Sequence, residues 1–193
     1  MHNAKIKRMV TIAFLVGLVL VLQLLGGVIP PIGGFSISLV LIPIVMGAVL
    51  LGPGAGALLG AVFGVIVFIN CVTGADPGGV MVFQASPLLC FLVVMAKGTL
   101  AGWLAGLCYR LLRGRNPHLA MICAAAVCPI VNTGVFVGCM LTIFPEVLAA
   151  WAGGSDILSY VLTGLLLVNF VPELIINVLF GTVGHTILRA VRK

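Results

Sequence analysis

The stretch Val168-Asn-Phe-Val-Pro-Glu-Leu-Ile-Ile-Asn-Val-Leu-Phe-Gly181 decides how the rest of this chain is read. It lies inside an apolar run over 157–188, long enough to cross a bilayer at about 1.5 Å per helical residue. Within that run Asn169, Glu173 and Asn177 recur at every fourth position, which lines them along one face of a helix. A carboxylate in mid-membrane costs about 2.5–3.5 kcal/mol on insertion scales, so Glu173 calls for a partner or a task.

Composition says what kind of molecule holds that carboxylate. The 193 residues are 62% hydrophobic and 7% charged, whereas a soluble domain carries about a quarter charged residues. This excludes a soluble globular domain and predicts an all-α integral membrane protein, a single transmembrane domain over 1–193. Five further apolar stretches, at 9–29, 37–51, 55–70, 87–110 and 118–144, bring the expectation to six transmembrane helices. The second is short for a full crossing. Segment 71–87, with Gly74, Asp76, Pro77, Gly78 and Gly79, reads as a lid or re-entrant loop, and 145–156 as a plain outer loop.

A net charge of +6 would suit a nucleic-acid binder, but its distribution follows membrane topology instead. Lys5, Lys7 and Arg8, then Arg110, Arg113 and Arg115, then Arg189, Arg192 and Lys193 fall at alternate ends of the predicted spans. If these ends are cytoplasmic, nine of the ten basic residues obey the positive-inside rule, and both termini lie inside a multi-pass protein of the cell membrane. The tenth is Lys97.

Depth can be counted from those inner ends. At the helical rise, Glu173 stands roughly 24 Å above the inner boundary, Asn177 roughly 18 Å, Lys97 roughly 20 Å, Asn132 roughly 21 Å and Gln23 roughly 22 Å. Four spans thus carry polar groups to one layer. Asn70, Asn169 and Gln84 stand above it, nearer the outer face. These eight residues form a candidate substrate pocket opening outward, beneath loops 30–36 and 73–87. The competing reading is interhelical hydrogen bonding at about 0.6–2 kcal/mol per group, with Lys97 simply paired to Glu173.

Other patterns describe packing. Gly56, Gly60 and Gly64, and Gly98, Gly102 and Gly106, are small-xxx-small ridges that let helix backbones approach. Ala13 and Gly17 make a similar pair that either packs internally or docks another membrane subunit. The six cysteines show no metal-ligand spacing and read as small core residues. His2, His118 and His185 sit near cytoplasmic ends, and there is no Walker A sequence, HExxH or nucleophile set. No catalytic residue, metal or cofactor is therefore expected.

The runs Phe35-Ser-Ile-Ser-Leu-Val-Leu-Ile-Pro-Ile-Val-Met-Gly-Ala-Val-Leu-Leu-Gly-Pro53, Lys97-Gly-Thr-Leu-Ala-Gly-Trp-Leu-Ala-Gly106, Cys128-Pro-Ile-Val-Asn-Thr-Gly134 and 169–181 together carry a family resemblance. Over nearly its whole length the chain resembles the substrate-binding S component of an energy-coupling factor (ECF) transporter, the vitamin-uptake branch of the ABC transporters. The resemblance implies a six-helix bundle that captures a vitamin or related micronutrient from outside. It further implies association with a membrane T component and two cytoplasmic ATPases, and toppling in the membrane to release substrate inside. The family's Ala-x-x-x-Ala docking pair maps to Ala13 and Gly17.

Lys97 offers a cation to a substrate carboxylate or phosphate, which leans towards a small anionic vitamin such as pantothenate. Paired with Glu173, it would instead leave a neutral, hydrogen-bond-rich ligand. Two other expectations compete with capture: a stand-alone channel or proton-coupled carrier using Lys97 and Glu173, and a structural membrane subunit with no ligand.

Overall fold

The computed structural model describes residues 2–28 and 39–191, with side chains described there except at 2–4, 27–28, 182 and 184–191. The expected loop 30–36 and positions 35–38 of the family resemblance lie outside the described residues. Regular structure among the described residues is entirely helical. The helices are α1 (His2–Val28), α2 (Leu41–Leu51), α3 (Pro53–Thr73), α4 (Pro77–Ala85), α5 (Pro87–Leu112), α6 (Pro117–Thr142), α7 (Pro145–Ala152) and α8 (Ile157–Tyr160). A π-helical stretch, Val161–Phe170, then leads into α9 (Val171–Val191).

Local chemistry sets these boundaries. Five helices, α3 to α7, begin with proline, whose fixed φ suits the first turn and whose missing N–H is not needed there. Side-chain caps supply acceptors for the first amides. Asn116 Oδ1 accepts from the N–H of His118 at 3.0 Å and of Leu119 at 3.3 Å, and Asp76 Oδ1 accepts from the Gly79 N–H at 3.1 Å. At the end of α3, Gly74 takes φ 84°, a left-handed conformation that a side chain would strain, and so turns the chain into α4.

Five segments are long and apolar enough to cross a membrane: Lys5–Gly26, Pro53–Thr73, Pro87–Leu112, Pro117–Thr142 and Ile157–Gly181. The sixth helix of the membrane bundle, α2, is apolar but has 11 residues, a rise of about 16 Å. Large apolar side chains face outward around the bundle; Phe14, Leu24, Leu88 and Leu167 are each more than 60% exposed. In water that surface would aggregate, and in a bilayer it is the solvated surface.

The α3–α5 pair forms the centre of the packing. A methyl group added at Gly56 would collide with the Gly102 carbonyl oxygen, at Gly60 with that of Gly98, and at Gly64 with that of Val94 at 2.8 Å. Both glycine ridges are therefore internal, and they bring two backbones into direct contact. Next to this pair, α6 packs on α5 and α9 on α6, where a methyl at Gly181 would come within 2.9 Å of Ala125 Cβ. Helix α2 rests on α3 and α5, and α1 leans on α2 and α3 through Leu15 and Val19.

The structure adds helix to two segments expected as loops and a π-helical stretch to the sixth span. The segment 71–87 contains the helix α4 and the loop 145–156 contains the helix α7, because Asp76-Pro77 and Phe144-Pro145 are helix starts followed by residues that bury one side. Val82 of α4 and Leu148 of α7 turn into the core. The sixth span is not one uninterrupted α-helix: it winds as a π-helix through Val161–Phe170. The return to α-helix falls beside Pro172, which has no N–H for the carbonyl four residues back.

Candidate substrate-binding site

A cavity of about 380 Å³ lies among α1, α3, α5, α6 and the sixth span, beneath α4 and α7. That volume falls within the about 300–1,000 Å³ of small-molecule sites. Its apolar surface comes from residues such as Phe63, Val67, Val93 and Leu165, and its polar groups come from α1, α3, α5, α6 and the sixth span.

Helix α5 contributes Lys97, immediately before Gly98, which locks against Gly60. The backbone is thereby held while the long side chain reaches the cavity. The ammonium lies 4.7 Å from the Phe136 ring centroid and 5.9 Å from that of Phe63, within the range where a ring face attracts a cation. Helix α6 places Asn132, 7% exposed, beside buried Thr133. From α9 comes Glu173, only 2% exposed. Asn169, at the end of the π-helical stretch, lies one turn before it. Gln23 of α1 and Asn70 of α3 are half-buried on the same wall.

Several of these groups are incompletely bonded. Asn132 Oδ1, Asn169 Oδ1 and Glu173 Oε1 are buried without a hydrogen-bond partner. Lys97 and Glu173 form no ion pair, so of the two arrangements left open for Lys97 mutual neutralisation is not the one observed. Asp76 and Glu173 are the two carboxylates among the described residues that line the same cavity.

The cover is built from small contacts. Gly78 of α4 faces Trp151 of α7, where an added methyl would lie 3.4 Å from the indole, and Gly79 packs directly on Cys71 Sγ. Trp151 in turn stacks on Phe136, with ring centroids 6.2 Å apart and planes at 28°. Asp76, the cap of α4, stands at the cavity edge.

Six of the eight candidate residues therefore line one cavity: Gln23, Asn70, Lys97, Asn132, Asn169 and Glu173. Gln84 does not. It is exposed on α4, two residues beyond inward-facing Val82 and hence on the opposite side of that helix. Asn177 is buried but off the cavity wall, with its Nδ2 donating to the Glu173 backbone oxygen at 3.2 Å. One turn further along, α6 and α9 pack together through Ala125 and Gly181. Sequence reasoning missed the aromatic residues. Phe136 follows Asn132 by four residues on the same helical face, a legible signal, whereas Trp151 sat in a segment read as loop.

A family model for the substrate-specific component of ECF transporters matches residues 7–183. The chain belongs to that family. Comparison with curated proteins and with solved structures finds no match. As an S component, the protein is a multi-pass membrane transport subunit, not itself an enzyme. Family membership implies, in general terms, a small-molecule substrate and partner T and ATPase subunits.

Proposed function

We propose that this S component captures a vitamin or related micronutrient from the outer side of the cell membrane. The substrate is held in the cavity among Gln23, Asn70, Lys97, Asn132, Asn169 and Glu173. One observation carries the reading: Lys97, the sole basic residue among those lining the cavity, holds its ammonium over the Phe136 ring with no carboxylate bonded to it. Such a cation in a low-dielectric wall favours a substrate with a carboxylate or phosphate. The small anionic vitamins are that class, with pantothenate the first compound to test.

Release and energy come from assembly. The chain acts as one domain, with both termini cytoplasmic, and joins a T component and two ATPases that topple it to deliver substrate inside. Docking through Ala13 and Gly17 is supported by their setting on α1, where Ala13 is exposed and nothing lies within 4 Å of a methyl built on Gly17.

The test is native mass spectrometry of the chain purified alone in mild detergent, with thermal unfolding against a panel of water-soluble vitamins. A stoichiometric small metabolite and a stabilising vitamin are expected. Lys97→Ala and Asn132→Ala should each weaken binding about tenfold or more while the protein remains folded. Unchanged affinity in both variants would remove the site. Uptake into liposomes containing this chain alone would replace capture by a stand-alone carrier.

A further inference from the structure

The ionisable groups on the cavity wall do not match a simple anion. Lys97 contributes one positive charge, while Asp76 and Glu173 contribute two carboxylates. Asp76 has an assigned role as the cap of α4, accepting the Gly79 N–H at 3.1 Å, and it stands exposed at the edge. Glu173 has none. It is 2% exposed, Oε1 has no donor, and no cation is bonded to it.

The neighbouring amides do not relieve it. Asn177 uses its Nδ2 on the Glu173 backbone oxygen and leaves its own Oδ1 unpartnered, and Asn132 and Asn169 each leave an acceptor oxygen without a donor. A buried acceptor left unpaired loses its hydration without compensation, and the loss is larger for a charged group. The acceptor atoms Asn132 Oδ1, Asn169 Oδ1 and Glu173 Oε1 are therefore left without a donor, and the Lys97 ammonium without a bonded carboxylate.

Resting on the capture reading above, we infer that the substrate is zwitterionic: its anionic group pairs with Lys97, and a protonated nitrogen donates to Glu173. This narrows the anionic class to molecules that also carry a cationic N–H group. The amide oxygens of Asn132 and Asn169 take the remaining donors of that group. Binding by such a molecule gives both buried groups a partner at once, whereas a plain anion leaves Glu173 unpaired and a plain cation leaves Lys97 unpaired.

The experiment uses the full chain in mild detergent and a ladder of ω-amino acids of increasing charge separation: γ-aminobutyrate, ε-aminocaproate and ω-aminocaprylate. Each is compared with its N-acetyl form, which keeps only the anion, and its carboxamide, which keeps only the cation. Pantothenate is included as a hydroxyl-bearing single anion. The expected result is that at least one zwitterion raises the unfolding midpoint more than both of its single-charge forms and more than pantothenate.

Glu173→Gln should abolish that zwitterion's advantage over its N-acetyl form, and Lys97→Gln its advantage over the carboxamide, by roughly ten- to a hundredfold in Kd. Unliganded unfolding of both variants, checked first, reports whether they fold; Lys97→Met and Glu173→Met replace any that does not. Stabilisation by pantothenate or by N-acetyl forms that equals the zwitterions would overturn the inference and leave capture standing. No response to the ladder or to any vitamin would overturn both.

Discussion

Two carboxamides show how narrowly a side chain's role depends on where it points. Asn177 was placed by its spacing on the same face as Glu173, yet its amide is spent on the backbone of its own helix. Replacing it with Ala should cost about 0.5–1.5 kcal/mol of stability from the lost hydrogen bond and leave substrate affinity within twofold, as thermal unfolding and titration would read. Gln84→Ala should change neither, because the side chain is exposed on the outside of α4. A drop in affinity in Gln84→Ala would mean that α4 turns about its axis when substrate binds. Lys97 is different in kind. Its position was legible from charge alone, but its contact with Phe136 instead of Glu173 follows from the rotation of α6 and could not be counted along the chain.

Among the elements, the α3–α5 pair bears the tightest constraint. A methyl on Gly60 meets the Gly98 carbonyl and a methyl on Gly98 meets the Gly60 carbonyl, and backbone cannot move aside as a side chain can. Gly60→Ala and Gly98→Ala should each destabilise by about 1–3 kcal/mol, measured as a lowered unfolding midpoint in detergent. They should weaken substrate binding as well, because Lys97 adjoins this contact. Gly134→Ala is the control. Nothing lies within 4 Å of its added methyl, so the effect should stay within about 0.5 kcal/mol. The short helices α4 and α7 complete the picture at this scale: each starts at a proline, and they meet through Gly78 and Trp151 to cover the cavity.

At the scale of the whole molecule, α1 is the loosely held member. It buries Leu15 and Val19 but turns Phe14 and Leu24 outward, and Ala13 lies on its exposed side. Ala13→Trp and Gly17→Trp should therefore abolish co-purification with a T component while substrate binding by the solitary chain stays within twofold. Normal complex recovery from both variants would sink the docking assignment.

What the sequence determined by itself was the class of molecule, an all-helical membrane bundle, and the glycine faces along which its helices touch. These are sums and spacings along one chain, evaluated against a bilayer that penalises every unpaired polar group, so they need no knowledge of neighbours. Tertiary structure alone decided which polar groups share a cavity, that Lys97 and Glu173 stand unpaired, that aromatic rings receive the ammonium, and that segments 77–85 and 145–152 fold into a cover. Those outcomes depend on how each helix is rotated about its own axis, where one residue is a turn of about 100°, and that rotation is set by contacts such as Gly60 against Gly98 and Gly181 against Ala125.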